Sequence, residues 1–126
     1  MNIVDSSGWL EYFADGPNAE QFVAPLSDRE RLLVPTIIMH EVFKVVLRER
    51  GENSALQAVA LMRQGTVAPL GEDIALSAAR LGVAHKLPMA DSIILATARL
   101  HNATVWTQDV DFEGLDHVRY FKKQAV

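Results

Sequence analysis

The sequence has no cysteine, which excludes disulfides, thiolate metal sites and Cys nucleophiles together and fits a reducing cytoplasm. It has no apolar run near the ~20 residues that span a bilayer, and no basic N-terminal stretch followed by an apolar signal region. A cytoplasmic protein is expected. Glycine and proline are sparse, at seven and five residues, and stand as single punctuation marks, so no linker, repeat or low-complexity tract divides the chain. Excess positive charge is missing too. Twelve Lys and Arg against sixteen Asp and Glu give a formal net charge of -4, which argues against broad non-specific binding to a nucleic acid backbone. A local basic surface beside an acidic cleft is compatible with that balance. What is present is apolar mass: 49% of the 126 residues are hydrophobic. That suits one domain, residues 1–126, burying very roughly two-thirds of its unfolded surface around one core.

Strand-like and helix-like segments alternate. "NIV" at 2–4 and "LLVP" at 32–35 are short β-prone runs, and "TVAPL", "ATVWT" and "HVRYF" follow later. Between them lie helical stretches. "SSGWLEYFADGP" opens on a hydroxyl suited to capping and ends at Gly16-Pro17, and "TIIMHEVFKVVLRERG" runs from a Thr36 cap to Gly51. "NSALQAVALMRQG", "EDIALSAARLGVAHKL" and "MADSIILATARL" complete the set. This alternation predicts an α/β fold with a mainly parallel sheet covered on both faces. Strand order does not follow from it.

Four acids stand out. In an open parallel sheet, ligands bind outside the carboxyl ends of the strands, and Asp5 follows "NIV" while Asp109 follows "ATVWT". Turn formation or helix capping is the plain alternative for each. Asp91 lies in the first turn of its helix, where a carboxylate gains ~0.3 to 1 kcal/mol from the helix dipole. It is also aligned with Ile94, Leu95 and Ala98 on a core-facing stripe. An unpaired buried carboxylate costs several kcal/mol, more than the dipole returns. Glu41 sits between an apolar arc and a polar stripe carrying Lys44 and Arg48, where a surface ion pair with Lys44 is the plain alternative. Two like charges ~4 Å apart repel by about 4 kcal/mol at an effective dielectric of 20, so gathered carboxylates call for a cation. Oxygen ligands without Cys or paired His select a hard ion, Mg²⁺ or Mn²⁺, and with it metal-assisted phosphodiester hydrolysis.

"IVDSSGWLEYF", "VPTIIMHEVFKV" and "LPMADSIILATARLHNATVWTQDVDFEGL", taken in order, resemble the successive motifs of PIN-domain ribonucleases, specifically VapC-type toxins. The resemblance spans essentially the whole chain and is strongest in the last block. It implies a three-layer α/β/α PIN fold and an acidic metal site formed by Asp5, Glu41, Asp91 and Asp109. Ser6 matches the small hydroxyl after the first Asp, and Thr107 the hydroxyl of a "T-x-D" element. Both are implied to support metal waters or substrate. Asp111 is a fifth acid, ranked below Asp109. The implied activity is a Mg²⁺- or Mn²⁺-dependent endoribonuclease acting on RNA as the toxin of a toxin–antitoxin pair. The implied partners are a VapB-type antitoxin and a second copy of the chain, with the apolar faces of "GWLEYF" and "VFKVVL" as candidate surfaces.

Other features carry less. The four histidines, His40, His85, His101 and His117, share no zinc-type spacing. Trp9, Tyr12 and Phe13, at i, i+3, i+4 spacing, read as core or interface before base-stacking platform. Lys122 and Lys123 read as a solvated tail. A competing function is a non-catalytic PIN-like module that binds RNA or protein, its acids only stabilising helix starts.

Overall fold

A computed structural model describes residues 1–125. Five short strands alternate with six helices: β1 (Asn2–Val4), α1 (Ser6–Phe13), α2 (Val23–Ser27), β2 (Leu33–Pro35), α3 (Thr36–Arg50), α4 (Glu52–Met62), β3 (Thr66–Ala68), α5 (Glu72–His85), α6 (Met89–Leu100), β4 (Thr104–Thr107) and β5 (Val118–Tyr120). The five anticipated strands all form. The unassigned stretch before β2 folds into α2 flanked by two 3₁₀ turns, Ala19–Phe22 and Arg29–Arg31. Gly51, at φ 89, separates α3 from α4, a backbone setting that L side chains rarely adopt. Two expected caps are absent: Asp5 and Pro35 occupy the N-cap positions of α1 and α3, and neither helix start has a side-chain cap bond. The Ser6, Ser7 and Thr36 residues fall inside the helices instead.

All strand pairs are parallel. β1 pairs with β4 (Ile3 beside Val105), β4 with β5 (Val105 beside Val118), and β2 with β3 (Val34 beside Val67). A parallel bridge between Asn2 and Leu32 sets β2 along the free edge of β1. The resulting order is β3-β2-β1-β4-β5, with helices on both faces in three layers. From β1 the chain moves outward to β2 and β3, then returns to lay β4 on the opposite edge of β1. That reversal opens a crevice at the carboxyl ends of β1 and β4, the ligand position of open α/β sheets.

The core runs through Ile3, Phe22, Ile38, Ile94, Leu95, Val105 and Phe112, all fully buried. Helix α6 departs from the one-sided stripe that its sequence suggests. Its residues Asp91 to Ala98 are all buried, because α5, α3 and β4 cover it from several sides. Two of its buried polar residues are satisfied locally: Ser92 Oγ donates to Pro88 O at 2.9 Å and Thr97 Oγ1 to Ile93 O at 2.7 Å. Among the described residues, no helix is long and apolar enough to cross a membrane.

Candidate metal centre

The carboxyl end of β1 places Asp5. Its backbone N–H donates to Trp106 O at 3.0 Å, extending the ladder one residue past β1, and its side chain is 2% exposed. Burial without a cap bond removes the helix-cap explanation for this acid. Its Oδ2 accepts from Ser7 Oγ at 2.8 Å and from Thr107 Oγ1 at 2.9 Å, and Oδ1 lies 3.5 Å from Ser6 Oγ. The backbone N–H groups of Gln108 and Asp109 donate to the hydroxyls of Ser7 (3.2 Å) and Thr107 (2.9 Å). A hydroxyl has one proton, so two hydroxyls held from behind by N–H donors aim both protons at Asp5.

Asp109 follows β4. Its Oδ1 accepts from Asp111 N at 3.0 Å, capping the 3₁₀ turn Val110–Phe112. The turn explanation holds for this residue, yet it does not exhaust it. Carboxylate oxygens of Asp91, Asp109 and Asp111 all lie within 4.8 Å of one another. Asp111, ranked lower by sequence, is thus part of the same triad as Asp109. Asp91 reaches it from the first turn of α6 while only 7% exposed. Glu41 approaches from α3, half-buried, with Oε1 buried and lacking any hydrogen-bond partner. The Lys44 ion pair does not form: the ion pairs among the described residues are Arg31–Asp28 and Arg48–Glu49.

These groups feel one another's charge. Burial pushes the Asp5 carboxyl up, opposed by the Ser7 and Thr107 hydroxyls and assisted by Asp109. Burial also raises Glu41, with Asp5 and Asp109 adding to it. Asp91 is pushed up to about 8, by burial first and then by the charges of Asp109, Asp5 and Asp111. A carboxyl that holds its proton near neutral pH, beside others that resist ionising, is a site short of positive charge. The donors are all oxygen, one of them an orphaned buried atom, and they fit a hard divalent cation.

Sequence reasoning missed Ser7, Asn18 and Gln108. Asn18 and Gln108 are 2% and 6% exposed. Asn18 Nδ2 donates to Gln108 Oε1 and to Lys122 O, both at 3.0 Å, and Gln108 Nε2 donates to Ser7 O at 3.3 Å. The adjacent "SS" held a signal for Ser7. Asn18 held none, because its partners lie 90 and 104 positions away. Trp9 is buried in the core and lies obliquely against Phe13, which packs on that core, whereas Tyr12 is exposed. An open cavity of about 470 Å³ adjoins the acids, lined by Asp5, Ser6, Ser7, Gln108, Asp109 and Lys123 among others. Lys122 and Lys123 are both exposed, as a solvated tail would be, and Lys123 also lines this cavity.

The model of the PIN domain family matches residues 3–118. The chain belongs to the PIN domain family. No curated protein matches the sequence at a significant level. Among solved structures, this PIN domain is similar to a chain of a toxin–antitoxin complex from Klebsiella pneumoniae, with TM-score 0.80 and 23% identity over 94% of this chain and 96% of that one. It is similar to Mycobacterium tuberculosis VapC20, described as a Sarcin-Ricin loop cleaving toxin, with TM-score 0.77 and 20% identity over 92% and 95% of the two chains. It also resembles VapBC2 from Rickettsia felis bound to a promoter DNA fragment, with TM-score 0.75 and 10% identity over 96% and 98%. At these identities the likeness establishes the fold.

Proposed function

We propose that this PIN-domain protein is a Mg²⁺- or Mn²⁺-dependent endoribonuclease that acts in the cytoplasm as the toxin of a toxin–antitoxin pair. One observation carries the reading: acids from four places in the chain converge at the β1–β4 crevice in a group that resists ionising. Asp5, Glu41, Asp91 and Asp109 are the residues assigned to hold the ion directly or through water, with Asp111 beside them. A bound divalent ion supplies a water of lowered pKa and stabilises negative charge on phosphoryl oxygens. The chain's own residues prepare that site. Ser7 and Thr107 lock the Asp5 carboxylate in one orientation, and Asp91 gives up its proton when cation binding makes its ionised form favourable. Ser6 and Gln108 line the same cavity, where their neutral donors can meet the substrate's sugar-phosphate oxygens. An acidic protein with a limited groove suits recognition of a structured RNA by shape and exposed loops.

The proposed neutralising partner is a VapB-type antitoxin, and the proposed free form is a homodimer. The similarity to chains of toxin–antitoxin complexes supports the first. So does an apolar groove of about 410 Å³ between α1, α3 and α4, lined by Leu10, Phe13, Val45, Val46, Ala58 and Leu61 among others, on the "GWLEYF" and "VFKVVL" segments. A segment of a small partner fits such a surface by laying apolar side chains into it.

Divalent-dependent cleavage of RNA by the purified protein tests the activity. Asp5→Asn and Asp91→Asn should abolish it while leaving the protein folded, and activity equal to wild type in both would sink the mechanism. Mn²⁺ calorimetry separates the enzyme from a non-catalytic binding module, which takes up no metal with or without RNA.

A further inference from the structure

Lys123 is the single cation among the residues lining the acidic cavity, which also carries the carboxylates of Asp5, Glu11 and Asp109. Its place there is built. Phe121 N donates to Thr107 O at 2.9 Å, so the chain past β5 stays registered beside β4. The Phe121 ring stands edge-on to Phe22 at 5.6 Å and stacks with Trp106 at 6.1 Å. One residue on, Lys122 O accepts the buried Asn18 Nδ2, whose second partner is Gln108 Oε1 in the wall of the cavity. The backbone is thus tied on both sides immediately before Lys123. Yet no carboxylate of the described residues lies within 4.0 Å of its ammonium. It is exposed.

We propose that Lys123 is a substrate-positioning residue whose Nζ binds a backbone phosphate of RNA in the groove beside the metal centre, held there by the Asn18–Lys122 tether. The inference rests on the ribonuclease reading above. An RNA strand entering a cleft lined by carboxylates needs compensating charge along its backbone as well as at the scissile phosphate. A Lys ammonium supplies it as a point charge with three donors, indifferent to base identity. Lys122 is adjacent in sequence but does not line the cavity, and so serves as the internal control.

The test is fluorescence anisotropy with a labelled random-sequence single-stranded RNA pool, in Ca²⁺ to hold binding without turnover, across a salt series. Wild type, Lys123→Ala, Lys123→Arg and Lys122→Ala are compared. Lys123→Ala should weaken binding severalfold and reduce the slope of log affinity against log salt by about 0.7, the share of one phosphate contact on a single strand. Lys123→Arg should restore both, and Lys122→Ala should leave both unchanged. Under turnover, Lys123→Ala should act mainly on KM. Equal slopes in Lys123→Ala and wild type, or equal losses in the two alanine variants, would overturn the assignment while cleavage by wild type left the ribonuclease reading standing. Mn²⁺ calorimetry adds a separate readout. If removing Lys123 tightens metal binding and leaves the RNA slope untouched, the residue only balances the acids, and the proposal falls. No binding of this pool by wild type overturns the proposal, while the ribonuclease reading is decided by the cleavage assay.

Discussion

Thr107 joins the two strand ends of the site through one oxygen, donating to Asp5 Oδ2 and accepting from Asp109 N. Thr107→Val keeps the shape in a fully buried position, but leaves Asp109 N without its acceptor and Asp5 Oδ2 with one donor in place of two. It should cost about 1–3 kcal/mol in urea unfolding. Ser7→Ala removes the other hydroxyl aimed at Asp5, and the loss of such an orienting bond should lower Mn²⁺ affinity by about tenfold or more in calorimetry. The acids also set a pH dependence. Asp91 holds its proton more tightly in the folded chain than in the unfolded one, up to about pH 8. The folded protein therefore binds more protons between the ordinary carboxylate range and that value. Metal-free stability should be full below that range and decline as pH rises through about 8. Asp91→Asn should flatten the decline in the urea midpoint, and a wild-type midpoint that rises over this interval would contradict the shift. Metal affinity should climb over the same interval, because binding competes with the proton.

At the scale of elements, α1 sits where it does because residue 8 has no side chain. A Cβ on Gly8 would stand 2.7 Å from the Phe22 ring and from Val4, both in the core and neither able to retreat. Gly8→Ala should therefore cost about 1–3 kcal/mol by overpacking. It should also lower Mn²⁺ affinity, since α1 carries Ser6 and Ser7. Gly51→Ala is the contrast: nothing lies within 4 Å of the added carbon, and only the φ of 89 is strained. Its cost is about 1–3 kcal/mol of backbone strain with metal affinity unchanged, a separation that denaturation and calorimetry together would reveal. Helix α6 shows what periodicity conveys and what it omits. The Asp91, Ile94, Leu95, Ala98 alignment marked an inward acid correctly, but the helix is buried on its remaining sides as well. Small residues such as Ala90 and Ala96 fit any face, so they carry no directional signal.

For the whole molecule, metal binding should behave as a ligand effect and not as a folding requirement. The core is built of apolar side chains packed on one another, and none of the candidate acids belongs to it. At about a hundred times its dissociation constant, Mn²⁺ should stabilise the protein by about 2.7 kcal/mol, and EDTA should reverse that gain without unfolding it. Light scattering of the free protein should give a dimer mass, and a monomer at every concentration would remove the assembly from the proposal.

By itself, the sequence determined the α/β class, the five strands, most helix limits and the identity of the acids, because these depend on local periodicity, turn chemistry and residues that stand next to strand ends. Its match to the family's motifs singled out the acids proposed here to hold the ion. Tertiary structure decided the order β3-β2-β1-β4-β5, and with it which strand ends share a crevice. It decided that the Ser7 and Thr107 hydroxyls face one carboxylate, that Asp111 joins Asp91 and Asp109, and that Asn18 ties down the chain beside Lys123. The physical reason is range. A hydrogen bond between residues a hundred positions apart leaves no mark on the composition or spacing of either segment, and exists only once the sheet has brought them together.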